Sequence, residues 1–187
     1  MVRKLKGLPP LAVLLFEDET IVRLFPELRR AWSPSGEQAV VGITGRNAKR
    51  VLFGTINVRT GHRVVMTAPK MDQQGFQRFL RLLRRCYRHR PVWLLLDGAS
   101  AHIAPKSKQA AKALNMVLIW LPKQCPELNA MDHVFKEVKA DISANYQYLN
   151  IDEHARFAED YILNLTNIAA LKKAGILSKN FWLKIFR

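Results

Sequence analysis

The sequence predicts an α/β domain in which a mixed β-sheet is flanked by helices. Three observations carry that expectation. Short continuous apolar runs of strand length occur at Leu11 to Phe16, Val92 to Leu96 and Val117 to Leu121. β-Branched segments separated by turn residues lie between Ala39 and Thr67. Stretches with apolar side chains at helical spacing follow and alternate with the later runs. An apolar run closed by turn signals suits a strand covered on both faces, and strands alternating with amphipathic helices form layered sheets. At 187 residues the chain is long enough for one full core. No repeat, low-complexity tract or linker divides it, so a single domain over 1–187 is expected.

Leu11 to Phe16 is entered through Pro9 and Pro10 and closed by Glu17, Asp18 and Glu19, which reads as a buried strand ending at three acids. Trp32-Ser33-Pro34-Ser35-Gly36 is a turn cluster, with Trp32 expected to pack on the edge of the core. Ala39 to Ile43, Val51 to Val58 and His62 to Thr67 then read as antiparallel strands divided by Gly45 and by Thr60-Gly61. From Met71 to Tyr87, Phe76, Phe79, Leu80, Leu83 and Tyr87 form one helical stripe, and Arg78, Arg81, Arg84, Arg85 and Arg88 fill much of the remainder. Pro91 ends that helix and Val92 to Leu96 forms the next buried strand. Lys106 to Leu114 reads as a short helix, Val117 to Leu121 as a strand, and Pro122 and Pro126 bracket a loop before a helix from Asn129 to about Ile142. Phe157, Tyr161 and Leu165, then Ile168 to Lys173, recur at helical spacing and are expected to cover the sheet.

Charge narrows the function. Thirty Lys and Arg against 15 Asp and Glu leave a formal charge of +15 and a pI near 10.3. A polyanion is the natural partner, and nucleic acid fits best, because basic side chains release counterions condensed on the phosphates. Cys86 and Cys125 have no spacing that suggests a disulfide framework, which points to a reducing cytoplasm. Cys86 with His89 is too small a set for zinc. The apolar start is interrupted by acids where a cleavage site belongs, and nowhere do 18 apolar residues run together, so neither a leader nor a membrane span is expected.

Against this basic background three carboxylates stand out by position: Asp18 just past the first buried strand, Asp97 at the end of the second, and Asp132 in the first turn of a helix. Ligands of open sheets bind beyond the carboxyl ends of parallel strands. Carboxylates are the hard donors that Mg²⁺ or Mn²⁺ requires, and two such ions suit a phosphoryl displacement. Each acid also has a structural explanation. Glu17-Asp18-Glu19 suits a hydrated turn, Asp97-Gly98 a reverse turn, and Asp132 follows Asn129 as a helix-start acid follows its N-cap.

The surroundings of the acids resemble the catalytic domain of mariner-type and bacterial insertion-sequence transposases, members of the Asp-Asp-Glu/Asp superfamily. Leu15-Phe16-Glu17-Asp18-Glu19-Thr20 resembles the first acidic motif, and Ala31 to Gly36 the turn after it. Leu95-Leu96-Asp97-Gly98-Ala99-Ser100-Ala101-His102 is similar to the second, and Pro126-Glu127-Leu128-Asn129-Ala130-Met131-Asp132 to the third. Thirty-four residues lie between Asp97 and Asp132, the interval for which the superfamily is known. The third acid is Asp where insertion-sequence relatives often have Glu. No stretch reads as the helix-turn-helix that such transposases place before this domain.

The resemblance implies a ribonuclease H-like fold, with a central mixed sheet and helices on both faces. It also implies metal-dependent cleavage at the ends of a transposable element and transfer of the freed 3′-hydroxyl into target DNA. Asp18, Asp97 and Asp132 are then the catalytic, metal-holding acids for two Mg²⁺ or Mn²⁺ ions. Double-stranded DNA is the expected partner, a homodimer the expected assembly, and the nucleoid of a bacterial cytoplasm the expected place. Glu19, His102 and Asn129 are candidate supporting residues: His102 to touch a phosphate or orient an acid, Asn129 as N-cap. Glu137 ranks lower, since five helical residues beyond Asp132 it points roughly 140° away. Arg78, Arg81, Arg84, Arg85 and Arg88 are candidate phosphate contacts. The competing expectations are a ribonuclease H-like nuclease that cuts without joining, and a DNA-binding derivative that has lost its chemistry.

Overall fold

The first strand runs further than its apolar core predicts. In the computed structural model, which describes residues 2–186, a short helix α1 (Val2–Leu5) leads into β1 (Val13–Arg23). Thr20, Ile21 and Val22 favour extended backbone and carry β1 straight through Glu17, Asp18 and Glu19. There follow β2 (Lys49–Asn57), β3 (Arg63–Ala68), α2 (Gln73–Cys86), β4 (Val92–Leu96), α3 (Ser100–Ile103), α4 (Pro105–Ala113) and β5 (Met116–Trp120). After them come α5 (Ala130–Val138), a π-helical turn at Lys139–Ser143, α6 (Ile151–Asn164) and α7 (Asn167–Lys173).

The five strands form one mixed sheet in the order β3-β2-β1-β4-β5. β1, β2 and β3 make an antiparallel meander, whereas β4 and β5 run parallel to β1. Pairing of β1 with β4 ends at Phe16 opposite Leu95, and beyond it β1 continues against β2 alone, with Asp18 opposite Gly54. Asp18 is therefore mid-strand toward β2 and at the rim toward β4. This corrects the expectation that the strand stops before the acids.

Strand alternation divides the core between two faces. Phe16, Leu52, Ile56 and Leu95 face α5, α6 and α7, where Met131, Val134, Phe135, Ala158 and Ile162 complete one cluster. Leu15, Phe53, Leu94 and Leu96 face α2 and α4, where Phe76, Phe79, Leu80 and Leu83 complete the other. Helices thus cover both faces, as expected. The helix starts carry the side-chain caps that their sequences supply: Asp72 accepts from Gly75 N, Asn129 from Met131 N, Asn150 from Glu153 N and Thr166 from Ala169 N.

Gly54 allows the closest approach between layers. A Cβ there would lie 2.6 Å from Met131 Cε and 2.7 Å from Phe135 Cζ, so α5 lies on the sheet directly beside Asp18. Gly61, at φ +70°, makes the β2–β3 turn against Asn167 O of α7.

Two expectations fail between β1 and β2. Ala39 to Ile43 form no strand: β2 is already paired on both sides by β1 and β3, and these residues, nearly all exposed, join neither open edge of the sheet and cover no core face. Trp32 does not pack on the core; it is 103% exposed, in a segment that also exposes Leu28 and Val40. This segment is fixed by Arg29 N donating to Asn145 Oδ1 and by Thr44 bonding Gln147. Among the described residues no helix is long and apolar enough to cross a membrane.

Candidate active site

Asp18, Asp97 and Asp132 line one open cleft of about 480 Å³ at the carboxyl end of β4. Its other wall is the loop after β5, including Lys123 and Gln124. Leu121 N donates to Leu96 O at 2.8 Å, holding that loop beside the end of β4. Asp18 arrives from β1, Asp97 from the residue after β4, and Asp132 from the first turn of α5, so three separate elements converge.

Their electrostatics reflect crowding. Burial, then the charge of Glu19, pushes the Asp18 carboxyl up to about 8, and the charges of Asp132 and Asp97 add to the shift. Asp132 Oδ2 has Lys136 Nζ at 2.7 Å, an ion pair one turn along α5. Asp97 has its pKa lowered, first by its hydrogen bond with His102 and also by Ala99 N. Both bonds fall on Oδ1, each at 2.9 Å, which leaves Oδ2 as the oxygen for a ligand in the cleft.

His102 is wholly buried. It sits on α3, a short helix that the sequence did not announce, with Phe76 of α2 packed on its ring at 4.5 Å between centroids. Nδ1 meets Asp97 Oδ1 and Nε2 meets Glu19 Oε1 at 2.5 Å. Burial opposes its charge, but Glu17, Asp97 and Glu19 overcome that and raise its pKa to about 11. As an imidazolium it donates from both nitrogens and straps the end of β4 to β1.

Asn129 makes the matching strap on the other side. Its side-chain oxygen caps α5 through Met131 N, and its Nδ2 donates to the Glu17 carbonyl at 2.9 Å. Glu19 and Asn129 also line the cleft. The supporting residues expected from the sequence are therefore brought to the acids.

Glu17 was missed. Its side chain is 0% exposed, and among the described residues neither carboxylate oxygen has a hydrogen-bond partner. Burial, then Glu19, raises its pKa well above the ordinary range. Because β1 continues through the acids, Glu17 and Glu19 share one face and Asp18 takes the other; alternation through Ile21 and Val22 was the available signal. Glu137 is paired with Lys173 at 2.5 Å, away from the three aspartates.

Of the basic side chains on α2, Arg78, Arg81 and Arg85 are exposed, as is Arg88 just beyond it. Arg84 differs and corrects the expectation of a phosphate contact. Its guanidinium donates to the carbonyls of Leu114 and Asn115 and to those of Tyr87, Arg88 and Arg90, which clamps the end of α2 to the α4–β5 turn.

The family profile described as DDE superfamily endonuclease matches residues 13–154, which hold all three aspartates. The chain belongs to that family. It is 24% identical over 139 residues to the insertion element IS630 uncharacterized 39 kDa protein of Shigella sonnei, spanning 72% of this chain and 40% of that one. A Mos1 transposase paired-end complex with the left transposon end shares the fold with a TM-score of 0.70 at 16% identity, covering 96% of this chain and 56% of that one. Mos1 paired-end complexes with Mg and with Mn match at TM-scores of 0.68 and 0.67, with 16% and 14% identity, over 92% of this chain and 54% of each of those. The fold is thus ribonuclease H-like, and the chain spans about half or less of the length of these relatives.

Proposed function

We propose that this domain carries out metal-dependent DNA cleavage and strand transfer at the ends of an insertion element, with Asp18, Asp97 and Asp132 as its catalytic acids. The observation that carries this reading is their convergence from β1, β4 and α5 on one cleft of a DDE-family domain. The donor set fits Mg²⁺ or Mn²⁺: three aspartates crowded enough that burial and the charges of Glu19, Asp132 and Asp97 push Asp18 up to about 8. Two such ions, when bound, supply charge stabilisation at the attacking and leaving oxygens of an in-line phosphoryl displacement.

The chain's own residues supply position. His102 holds Asp97 by one oxygen and presents the other to the cleft. Asn129 fixes the start of α5, and with it Asp132, against β1. Lys123 places a positive side chain on the wall facing the acids, suited to a phosphate. Arg78, Arg81, Arg85 and Arg88 supply sequence-independent attraction for double-stranded DNA, in keeping with the net charge of +15. Action on two element ends together favours a homodimer.

The test uses an oligonucleotide duplex carrying the element end, a pre-cleaved version of it, and a target plasmid, with Mg²⁺ or Mn²⁺. Nicking by the full chain, joining of the pre-cleaved end, and loss of both in Asp97→Asn are expected. Nicking without joining would identify a nuclease instead, and activity surviving in Asp97→Asn would remove the assigned site.

A further inference from the structure

We infer that Glu17, Glu19 and His102 form a second cation site, distinct from the three aspartates, which takes a divalent transition metal of the Zn²⁺ type. One ligand atom from each lies within 4.8 Å of the others. The set lies on the α2 and α3 side of β1, where Glu17 and Glu19 point, while Asp18 points to the α5 side.

The independent observation is the isolation of Glu17. A carboxylate taken wholly out of water requires donors or a counter-ion, and a protonated carboxyl still requires an acceptor. Among the described residues Glu17 has no hydrogen-bond partner: both oxygens are buried without one, and its one charged neighbour, His102 Nε2, stands at ion-pair distance, 3.5 Å from Oε2, without bonding it. Nε2 is engaged instead by Glu19. One imidazole ring thus faces three carboxylates, those of Glu17, Glu19 and Asp97, and its two nitrogens hydrogen-bond only two of them.

A divalent ion in place of the proton between Nε2 and Glu19 resolves this arrangement. It brings two positive charges and takes Glu17, Glu19 and Nε2 as ligands. Asp97 continues to accept from Nδ1–H, the outer-shell carboxylate that orients many metal-bound histidines. One imidazole nitrogen and two carboxylate oxygens, with a position left for water, form a Zn²⁺ ligand set, softer than the all-oxygen set of the aspartates. Tetrahedral ligand atoms around Zn²⁺ lie about 3.3 Å apart, so small rotations of the glutamates close the site. Glu19 also lines the cleft, which gives the ion a way in. The ion would fix Asp97 to β1 more rigidly than a proton can. The inference depends on no step of the proposed DNA reaction.

The experiment uses the full chain carrying Asp18→Asn and Asp132→Asn, which depletes the aspartate site but leaves Asp97 beside His102. After dialysis against chelator it is titrated with Zn²⁺ by calorimetry and with Co²⁺ by visible absorption. One equivalent of Zn²⁺ and the intense bands of four-coordinate Co²⁺ are expected, with affinity lowered about tenfold or more by Glu17→Gln or His102→Gln. Absence of that equivalent, or affinity unchanged by both substitutions, overturns the site. X-ray absorption of the Zn²⁺-loaded chain decides the matter if those variants do not fold. One imidazole with oxygen ligands supports the site; a sulfur ligand or several imidazoles overturns it.

Discussion

Asn129 joins α5 to β1 through a single side chain, its oxygen capping the helix at Met131 N and its Nδ2 donating to the Glu17 carbonyl at 2.9 Å. His102 does the equivalent for the end of β4 by bridging Asp97 and Glu19. β1 is therefore the common reference against which both other aspartates are held. An Asn129→Ala variant loses a cap and leaves a buried carbonyl unpaired, which costs about 1–3 kcal/mol in urea unfolding. Asn129→Asp keeps the cap acceptor but lacks the donor. It should recover part of the stability while DNA nicking stays low, because the tie to β1 is the missing element. Full nicking by Asn129→Asp would show that the tie does not position Asp132.

Gly54 gives a second handle on the same spacing. Alanine there meets Met131 Cε at 2.6 Å and Phe135 Cζ at 2.7 Å. The methionine end can swing away, but the phenylalanine ring is held in the core, so α5 must move off the sheet. Overpacking of this kind costs about 1–3 kcal/mol. A lowered Tm is expected, with nicking reduced more than stability predicts, since the displaced helix carries Asp132. A Phe135→Leu change in the same chain removes the ring atom at 2.7 Å, makes room for the new methyl group and should restore part of the activity.

The main strands, and with them the strand and helix ends that carry the three aspartates, were legible because hydrophobic patterning is local: Val92 to Leu96 and Val117 to Leu121 read as strands whatever surrounds them, and strands form at Val92–Leu96 and Met116–Trp120. What escaped depends on neighbours. Ala39 to Ile43 have the composition of a strand but lie exposed in the β1–β2 connection, with no core face to cover. Glu17 looked like part of a hydrated acidic turn, since nothing in three successive acids says that helices will cover one of them. His102 belongs to a helix of four residues, too short to show a period. Arg84 has the same spacing as its exposed neighbours, and only the fold brings five carbonyls to it.

The metal-free protein should lose stability as pH rises from about 4 to about 8. Asp18, raised to about 8 from an ordinary 3.8, keeps its proton in the folded chain over a range where the unfolded chain has lost it, so unfolding gains with pH. His102 acts in the same direction: its stabilising contribution is complete below its ordinary 6.5 and is lost as pH climbs toward about 11. Asp97 is opposite in sign and matters only in acid, since its lowered pKa gives stability present above 3.8 and lost below. Thermal melts in chelator across that range should therefore show a falling Tm, with a shallower fall in Asp18→Asn. Mg²⁺ should raise Tm more at about pH 8 than at about pH 5, because a cation favours the ionised carboxylates. An equal Mg²⁺ effect at both would contradict the assignment of Asp18 as a ligand.

Arg84 and Arg81 sit three residues apart on α2 and should fail in different ways. Arg84→Ala leaves carbonyls of the α4–β5 turn and of the segment after α2 without their donor, so unfolding in urea should become easier by about 1–3 kcal/mol. Arg81→Ala removes an exposed side chain and should leave stability within about 0.5 kcal/mol. For DNA the order reverses. Each phosphate contact contributes a slope of about −0.9 to the dependence of log affinity on log salt. Arg81→Ala combined with Arg85→Ala should reduce the measured slope by about one per lost contact, uniformly across DNA sequences, whereas Arg84→Ala should leave it unchanged. A slope insensitive to both exposed arginines would move the DNA path off this helix.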